Sequence, residues 1–390
     1  RDLGDVDPTT GSHLRAESGV LSPSWFVTDK LSGAGTSWEF RDKDNILSGD
    51  FNGDKLEDFF VHNTDQWGMP YVGLVKSEGD SFKIVRRYDG SLPSWALRQG
   101  DKGFSADVTG DGKAELIIFN GTNWVIPYLG IWKVTEDNRL ILHRRFDRFL
   151  PGWEMGKNES FRFQDLDGDG SMDIIAINKS NWSKVQIHTY KRLFSGGTLV
   201  DRFYGNINNG INWNLNKKDK YKFGDWDGDG RVSLAIFNGK KFTTEYLGLW
   251  RSSSNGVFSG YKLYSDGIPG WNFRPNDEIK KFNRKGNTYD DLVVFNPHDW
   301  GSKEYLGIWR NDGAGNLSGI WQEGWIGGWN LGNVDSFKVV DFRGTAQWDD
   351  LFIFNKNWFG LLRGQGSRFA LETIYYKWVE NHRYHGSNLY

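Results

Sequence analysis

Cysteine is absent from this chain of 390 residues, and proline occurs only nine times. The absence of cysteine excludes disulfides, thiol catalysis and cysteine-based metal sites, so stability depends on packing or on a metal held by other ligands. No apolar run reaches the roughly 18 residues of a membrane-spanning helix, and we therefore expect no membrane insertion. Positive charge is not in excess, since the formal net charge is −2 and the pI is near 6.4. This balance gives no indication of nucleic acid as a partner.

Tryptophan is abundant, with 20 residues, and it marks a sixfold repeat. The copies open on Trp38, Trp95, Trp153, Trp213, Trp271 and Trp329. A fixed period of this size indicates like units that bury one continuous core, so we predict a single domain over residues 1–390. The predicted repeats are 38–94, 95–152, 153–212, 213–270, 271–328 and 329–381.

The fifth copy shows the plan of one repeat. Its apolar and turn-forming segments predict four short strands, at 277–282, 291–296, 305–309 and 318–323, with a loop over 296–303. The third strand recurs in other copies as Tyr-Leu-Gly followed by Ile or Leu and Trp. Four short strands per repeat, without a helical period, are typical of a propeller blade.

The two chain ends extend the pattern. Residues 1–37 resemble an incomplete copy, and residues 382–390 stand where a seventh copy would begin. We therefore predict an all-β, seven-bladed β-propeller of four-stranded blades, with the ring closed by a composite blade of 1–37 plus 382–390. The alternative is six blades with an N-terminal arm. Because the chain begins at Arg1 rather than Met, we also expect that an upstream segment was removed.

Four copies contain an acidic loop about a dozen residues after the opening tryptophan. Oxygen side chains at loop positions 1, 3, 5 and 9, with a backbone carbonyl at position 7, are ligands that calcium prefers. The predicted ligand sets are Asp50, Asn52, Asp54 and Asp58 with the carbonyl of Leu56; Asp107, Thr109, Asp111 and Glu115 with that of Lys113; Asp165, Asp167, Asp169 and Asp173 with that of Ser171; and Asp225, Asp227, Asp229 and Ser233 with that of Arg231. We expect three or four structural calcium ions, with the fourth site weakened by the uncharged Ser233.

The last two copies depart from this loop. Lys285 would place an ammonium group where the metal belongs in copy five, and copy six contains Arg343 and one extra residue. We predict no calcium in either copy. The alternative for all the loops is that Asp- and Gly-rich segments are simple turns, but recurrence in register in four copies favours metal binding.

The repeat resembles the FG-GAP/VCBS repeat, the blade of integrin-α-type propellers. The segments Asp165–Asp173 and Asp225–Ser233 carry the resemblance most clearly, and it covers six copies. Ile326-Gly-Gly-Trp329 is also similar to the motif that precedes the first strand in integrin-like seven-bladed fungal lectins. The resemblance implies a propeller fold and calcium; the narrower one implies sugar pockets between neighbouring blades.

A second set of tryptophans follows the second strand, each three or four residues after an asparagine. An aromatic face and an amide are the groups that recognise a pyranose, so we predict a carbohydrate site from these pairs. The pairs are Asn63 and Trp67, Asn120 and Trp124, Asn178 and Trp182, Asn296 and Trp300, and Asn355 and Trp358. The alternative is that the asparagine caps the strand and the tryptophan covers the next blade.

No constellation of catalytic residues is visible in the sequence. The seven histidines show no metal-ligand spacing, and no nucleophile elbow or phosphate-binding loop occurs. The leading hypothesis is therefore a secreted or cell-surface, calcium-stabilised propeller that binds glycans or a glycosylated surface without catalysis. The alternatives are a protein-binding adhesion or scaffold module and a polysaccharide lyase or hydrolase with acid and base from distant blades.

Overall fold

The computed structural model describes most of the chain. The described residues are 31–33, 36–38, 44–56, 58–64, 69–77, 82–121, 125–179, 184–193, 198–238, 244–284, 286–300, 303–332, 335–340, 348–354, 358–365 and 367–376. They form two compact units, one of residues up to Asn206 together with Asn255–Val257, the other of Ile207–Ser254 and the residues from Phe258 onward. Within these ranges, no helix has the length and apolar character needed to cross a membrane.

β-Strands are the regular structure of this part of the chain. Up to residue 204 the strands are β1 (Leu31–Gly33), β2 (Thr36–Trp38), β3 (Asn45–Gly49), β4 (Asp58–Asn63), β5 (Tyr71–Ser77), β6 (Phe82–Asp89), β7 (Ser91–Leu92), β8 (Trp95–Ala96), β9 (Lys102–Ala106), β10 (Glu115–Asn120), β11 (Tyr128–Val134), β12 (Leu140–Asp147), β13 (Phe149–Leu150), β14 (Trp153–Glu154), β15 (Ser160–Gln164), β16 (Asp173–Asn178), β17 (Gln186–Lys191) and β18 (Thr198–Tyr204). The later strands are β19 (Asn206–Ile207), β20 (Trp213–Asn214), β21 (Lys220–Gly224), β22 (Ser233–Asn238), β23 (Tyr246–Ser252), β24 (Phe258–Ser265), β25 (Gly267–Ile268), β26 (Trp271–Asn272), β27 (Glu278–Asn283), β28 (Asp290–Trp300), β29 (Lys303–Asn311), β30 (Leu317–Glu323), β31 (Trp325–Ile326), β32 (Trp329–Asn330), β33 (Ser336–Val340), β34 (Asp350–Phe354), β35 (Trp358–Gly364) and β36 (Phe369–Tyr376).

The strands form an all-β propeller architecture of four-stranded antiparallel blades. The described residues contain six blades, β3–β6, β9–β12 and β15–β18 in the first unit, and β21–β24, β27–β30 and β33–β36 in the second. The prediction of seven blades is therefore wrong, and the six-bladed alternative is the one that agrees with the structure. Each blade takes its four strands from one continuous stretch of chain, so none of the six is a composite. Residues 1–30 and 377–390, which were to build the seventh blade, lie outside the described residues, and β1 and β2 form a separate two-stranded ladder.

Burial within a blade follows the strand order. The second strands β10, β16 and β22 are buried at every position, as expected for strands covered on both faces. The fourth strand β12 is mostly exposed and carries the polar residues of its blade. In the second unit, Phe237 and Leu249 of one blade share an apolar cluster with Ile279, Val294 and Trp309 of the next. Packing between the faces of successive blades therefore forms the core.

The end of the second strand differs from the prediction in the fifth blade. The segment 296–303 was expected to be a loop, but β28 continues to Trp300, which pairs with Lys303 at the start of β29. An irregularity in the pairing lies between Asn296 and Trp300. The hairpin is therefore longer than the apolar pattern predicted, because the added pair of Trp300 and Lys303 lies beyond the apolar run that ends at Phe295.

In blades four, five and six, the opening tryptophan packs against a glycine of the third strand. A Cβ added at Gly307 would lie 2.6 Å from Cζ3 of Trp271, and one at Gly360 would lie 2.7 Å from Cε3 of Trp329. Trp271 is 3% exposed and its ring meets that of Trp309 at 6.2 Å. The glycine of the Tyr-Leu-Gly pattern is thus required by the space that the indole occupies.

We predict that Gly307→Ala destabilises the protein, because its methyl group would overlap the Trp271 ring. The expected loss in the free energy of unfolding is about 1–3 kcal/mol, measured by denaturant titration. Gly332→Ala is the matched control, because the nearest atom to a Cβ there is 4.0 Å away. Equal stability of the two variants would contradict the packing role of Gly307.

Candidate metal centres

The first aspartate of each acidic loop folds the loop around its own carboxylate. Asp165 Oδ1 accepts a hydrogen bond from Gly168 N at 2.8 Å, and its Oδ2 accepts one from Gly170 N at 2.9 Å. Asp50, Asp107 and Asp225 accept the equivalent bonds from their own loops. The predicted turn chemistry is therefore present. It does not exclude metal binding, because a carboxylate oxygen retains a second lone pair.

Three of the four loops gather three carboxylates each. The groups are Asp107, Asp111 and Glu115; Asp165, Asp167 and Asp173; and Asp225, Asp227 and Asp229, and in each group one ligand atom per residue lies within 4.8 Å of the others. Calcium binds oxygen at about 2.3–2.6 Å, so opposite ligands stand about 5 Å apart and the spacing fits one ion. In loop one, the amide of Asn52 donates to Asp58 at 3.0 Å.

The loops also connect neighbouring blades within each unit. Ala114 N donates to Asp50 O at 2.8 Å, and Met172 N donates to Asp107 O at 2.8 Å. Asp290 N donates to Asp225 O at 2.7 Å in the second unit. In these three loops the first residue is therefore held by the blade that follows it, and an ion bound in the loop would stiffen that junction.

The acid at loop position 9 is buried and its charge is disfavoured. Burial raises the pKa of Asp58 to about 6 and the pKa values of Glu115 and Asp173 to about 7. Each of these three side chains is 1% exposed. A cation beside such a carboxylate offsets the cost of removing its charge from water.

Basic side chains of the third strand supply part of that compensation. Lys133 Nζ lies 2.7 Å from Asp111 Oδ2 and 3.7 Å from Glu115 Oε1. Lys191 forms an ion pair with Asp167, and Arg251 Nε lies 3.4 Å from Asp227 Oδ2. These cations neutralise only part of the charge, since loop three alone has four carboxylates.

Blade five contains a guanidinium group in place of the acidic cluster. Arg284 Nη2 donates to Asp291 Oδ1 at 2.9 Å and to the carbonyl of Asn311 at 2.9 Å. The absence of calcium from this copy stays a prediction. Lys285, which was expected to supply the cation, lies outside the described residues, and Arg284 one position earlier is the residue in contact with Asp291.

A second set of acids was missed in the sequence, although it recurs without exception. Six residues after every opening tryptophan stands an acid, namely Asp44, Asp101, Glu159, Asp219, Asp277 and Asp335. Trp271 Nε1 donates to Asp277 Oδ2 at 2.9 Å, and Asn296 Nδ2 donates to Asp277 Oδ1 at 2.6 Å. Asp101 and Asp219 receive the same indole and amide bonds in their blades. The fixed spacing from tryptophan to acid was the signal that would have revealed this network.

This network uses the asparagines that were predicted to contact sugar. Asn63, Asn120, Asn178 and Asn296 are at most 1% exposed, and each donates its amide to the acid of its own blade. Trp67, Trp124, Trp182 and Asn355 lie outside the described residues. For Trp300 and Trp358 the structure describes only the backbone. The role of these tryptophans in sugar binding stays a prediction, while the asparagine amides are bound inside the protein.

Similarity to known proteins is confined to the fold. Neither protein-family models nor curated protein sequences match the chain. The periplasmic gluconolactonase PpgL of Pseudomonas aeruginosa is similar at 10% identity with a TM-score of 0.51, over 87% of this chain and 86% of that chain. The Photorhabdus luminescens Tc holotoxin pore is similar at 15% identity with a TM-score of 0.47, over 89% of this chain but only 15% of that chain. The likeness to the gluconolactonase agrees with a propeller fold, and at this identity it carries no information about activity.

We predict that Arg284→Met destabilises blade five, because Asp291 is fully buried and would lose its guanidinium partner. The expected loss is about 3 kcal/mol in the free energy of unfolding, independent of calcium. Arg139→Met is the control, because Arg139 pairs with Asp137 in solvent and its loss should stay below about 1 kcal/mol. A loss in Arg284→Met that added calcium reverses would contradict the assignment.

We predict that Glu159 makes stability fall as pH rises. Burial raises the pKa of Glu159 to about 7, so between its unfolded value of 4.5 and 7 the folded state binds the proton more tightly. The free energy of unfolding therefore decreases through this window, by about 3 kcal/mol for this group. Glu159→Gln should make the calcium-free profile measured by thermal melting between pH 5 and 8 less steep, while Asp58, Glu115 and Asp173 retain part of the slope. Glu154→Gln, at a solvent-exposed carboxylate, should leave the wild-type slope, and an unchanged slope in Glu159→Gln would refute the prediction.

Proposed function

We propose that this protein is an extracellular β-propeller of the FG-GAP/VCBS type, that structural calcium stabilises its acidic loops, and that it binds glycans without catalysing a reaction. The observation that carries the proposal is the gathering of three carboxylates within 4.8 Å in each of three loops. Oxygen-only ligand sets of this kind suit calcium, and the number of charged ligands and the rigidity of the site set the affinity.

Calcium has a structural role in this proposal. Each loop joins the first and second strands of a blade, and in loops one, two and four the first residue accepts a backbone bond from the following blade. An ion there fixes the turn and the junction together. At a calcium concentration ten times its Kd, each ion would add about 1.4 kcal/mol to the free energy of unfolding.

Exposed aromatic side chains support the carbohydrate part. Tyr204, Trp321 and Trp325 are between 47% and 62% exposed. A flat ring that is open to solvent can cover the C–H face of a sugar. The protein-binding alternative uses the same surfaces, and the experiment below separates the two.

The test is to strip the protein with EDTA, reload it with calcium, count bound ions and apply both forms to a glycan array. We expect three or four ions per chain, a higher melting temperature and glycan binding by the loaded form. Asp167→Ala should bind one ion fewer, whereas Asp137→Ala, at a solvent-exposed acid outside the loops, should bind the full number. A chain that binds no calcium would reduce the loops to turns, and calcium binding without glycan binding would favour the protein-binding alternative.

A further inference from the structure

An exposed aromatic and charged surface lies on the third and fourth strands of blade five. Tyr305 of β29 pairs in register with Glu323 of β30, and Gly307 pairs with Trp321. The Trp321 ring is 50% exposed and meets the Tyr305 ring edge-to-face, with centroids 5.3 Å apart. This surface, formed by Lys303, Tyr305, Trp321 and Glu323, is called the blade-five platform below.

Hydrogen-bonding groups border the aromatic rings of the blade-five platform. Lys303 Nζ lies 2.8 Å from Glu323 Oε1, and both side chains are open to solvent. The hydroxyl of Tyr305 also bonds Glu323, and the bonds from Lys303 and Tyr305 hold the pKa of that carboxyl below its usual range. The platform thus offers an ammonium donor, a carboxylate acceptor and a flat indole on one side of a rigid sheet.

In blades one and two, an arginine side chain covers the surface that is equivalent to the blade-five platform. In blade one, Arg87 stands opposite Gly73, lies over the Tyr71 ring at 5.4 Å and pairs with Asp89 at 2.7 Å. In blade two, Arg145 lies over the Tyr128 ring at 4.3 Å and also pairs with its strand neighbour, Asp147. The tyrosine ring and the acid are thus bound to an arginine in these blades. Trp321 takes the place of that arginine in blade five.

A further exposed indole follows the blade-five platform in the chain. Trp325 stands two residues after Glu323, across Gly324, whose positive φ of 62° turns the chain between β30 and β31. Trp325 is 62% exposed, the larger exposure of the two tryptophans. Its apolar neighbour Ile326 is buried, so the hairpin is anchored while the indole remains in solvent.

Resting on the proposed glycan binding, we infer that the blade-five platform is a carbohydrate subsite for a neutral hexopyranosyl unit. The indole of Trp321 covers the C–H face of the ring, Glu323 accepts from sugar hydroxyls, and Lys303 donates to a hydroxyl oxygen. The Lys303–Glu323 pair has no net charge, so a uronate or sulfated sugar gains no attraction. Trp325 takes the next sugar of an oligosaccharide.

The test uses the calcium-loaded full chain and isothermal titration calorimetry. The probes are gluco-, galacto- and manno-configured neutral tetrasaccharides, with an oligogalacturonate as the charged counterpart. We expect binding of at least one neutral tetrasaccharide, and a loss of about tenfold or more in Trp321→Arg, which installs the residue of blades one and two. Trp325→Ala should weaken tetrasaccharide binding more than binding of the corresponding methyl monosaccharide.

Phe149→Ala is the matched control. Phe149 holds the position in the short hairpin of blade two that Trp325 holds in blade five, and it is 53% exposed. It should keep wild-type affinity, and all three variants should keep the wild-type melting temperature because the altered side chains are exposed. Wild-type affinity in Trp321→Arg and Trp325→Ala would overturn the subsite while the proposed function stands. Failure of the wild type to bind any glycan, on the array or in solution, would overturn both, and tighter binding of the oligogalacturonate would refute the neutral-sugar assignment.

Discussion

The blades depend on the hydrogen bonds of the acid that stands six residues after each opening tryptophan, which is buried in five of the six blades. In the fifth blade, Asp277 is fully buried and accepts from the indole of Trp271, the backbone of Arg274 and the amide of Asn296. These bonds join the start of a repeat to the end of its second strand. Burying any of the three donors without an acceptor would cost about 1–3 kcal/mol, so the acid enforces the placement of all three.

The loop acids present a different electrostatic problem. Asp277 is surrounded by donors, whereas Glu115 and Asp173 have other carboxylates nearby that raise their pKa further after burial has done so. Such a group of acids needs a cation. The cation that is present differs from blade to blade: Lys133 lies beside the acids of loop two, and Arg284 pairs with Asp291 in blade five. We propose that calcium supplies the remaining positive charge in the loops whose oxygen donors suit it.

The four strands of a blade could be predicted because the sequence pattern recurs six times. A strand that is ambiguous in one copy is clear in another. The number of blades was not predictable, because it depended on residues 1–37 and 382–390, whose patterns are weak. The asparagine–tryptophan pairs were predicted to bind sugar. Residues that pack the blades and residues of a multivalent binding site both recur in every copy, so recurrence does not distinguish them. Burial decides between these readings for Asn120 and Asn296, and burial cannot be read from the local pattern. The extension of β28 was missed for a related reason, since its added pair of Trp300 and Lys303 lies beyond the apolar run of the strand.

Departures from a repeat are more informative about function than the repeat itself. A residue that stands at the same place in several blades, such as the glycine that admits the opening tryptophan, serves the blade. Trp321 departs from this rule, because the equivalent positions in blades one and two are Arg87 and Arg145. Replacing a paired arginine by an indole exchanges a cation–π contact and an ion pair for an edge-to-face contact with Tyr305. Half of the indole remains in solvent, where it offers a flat apolar face to a ligand, which is why the blade-five platform is the first place to look for one.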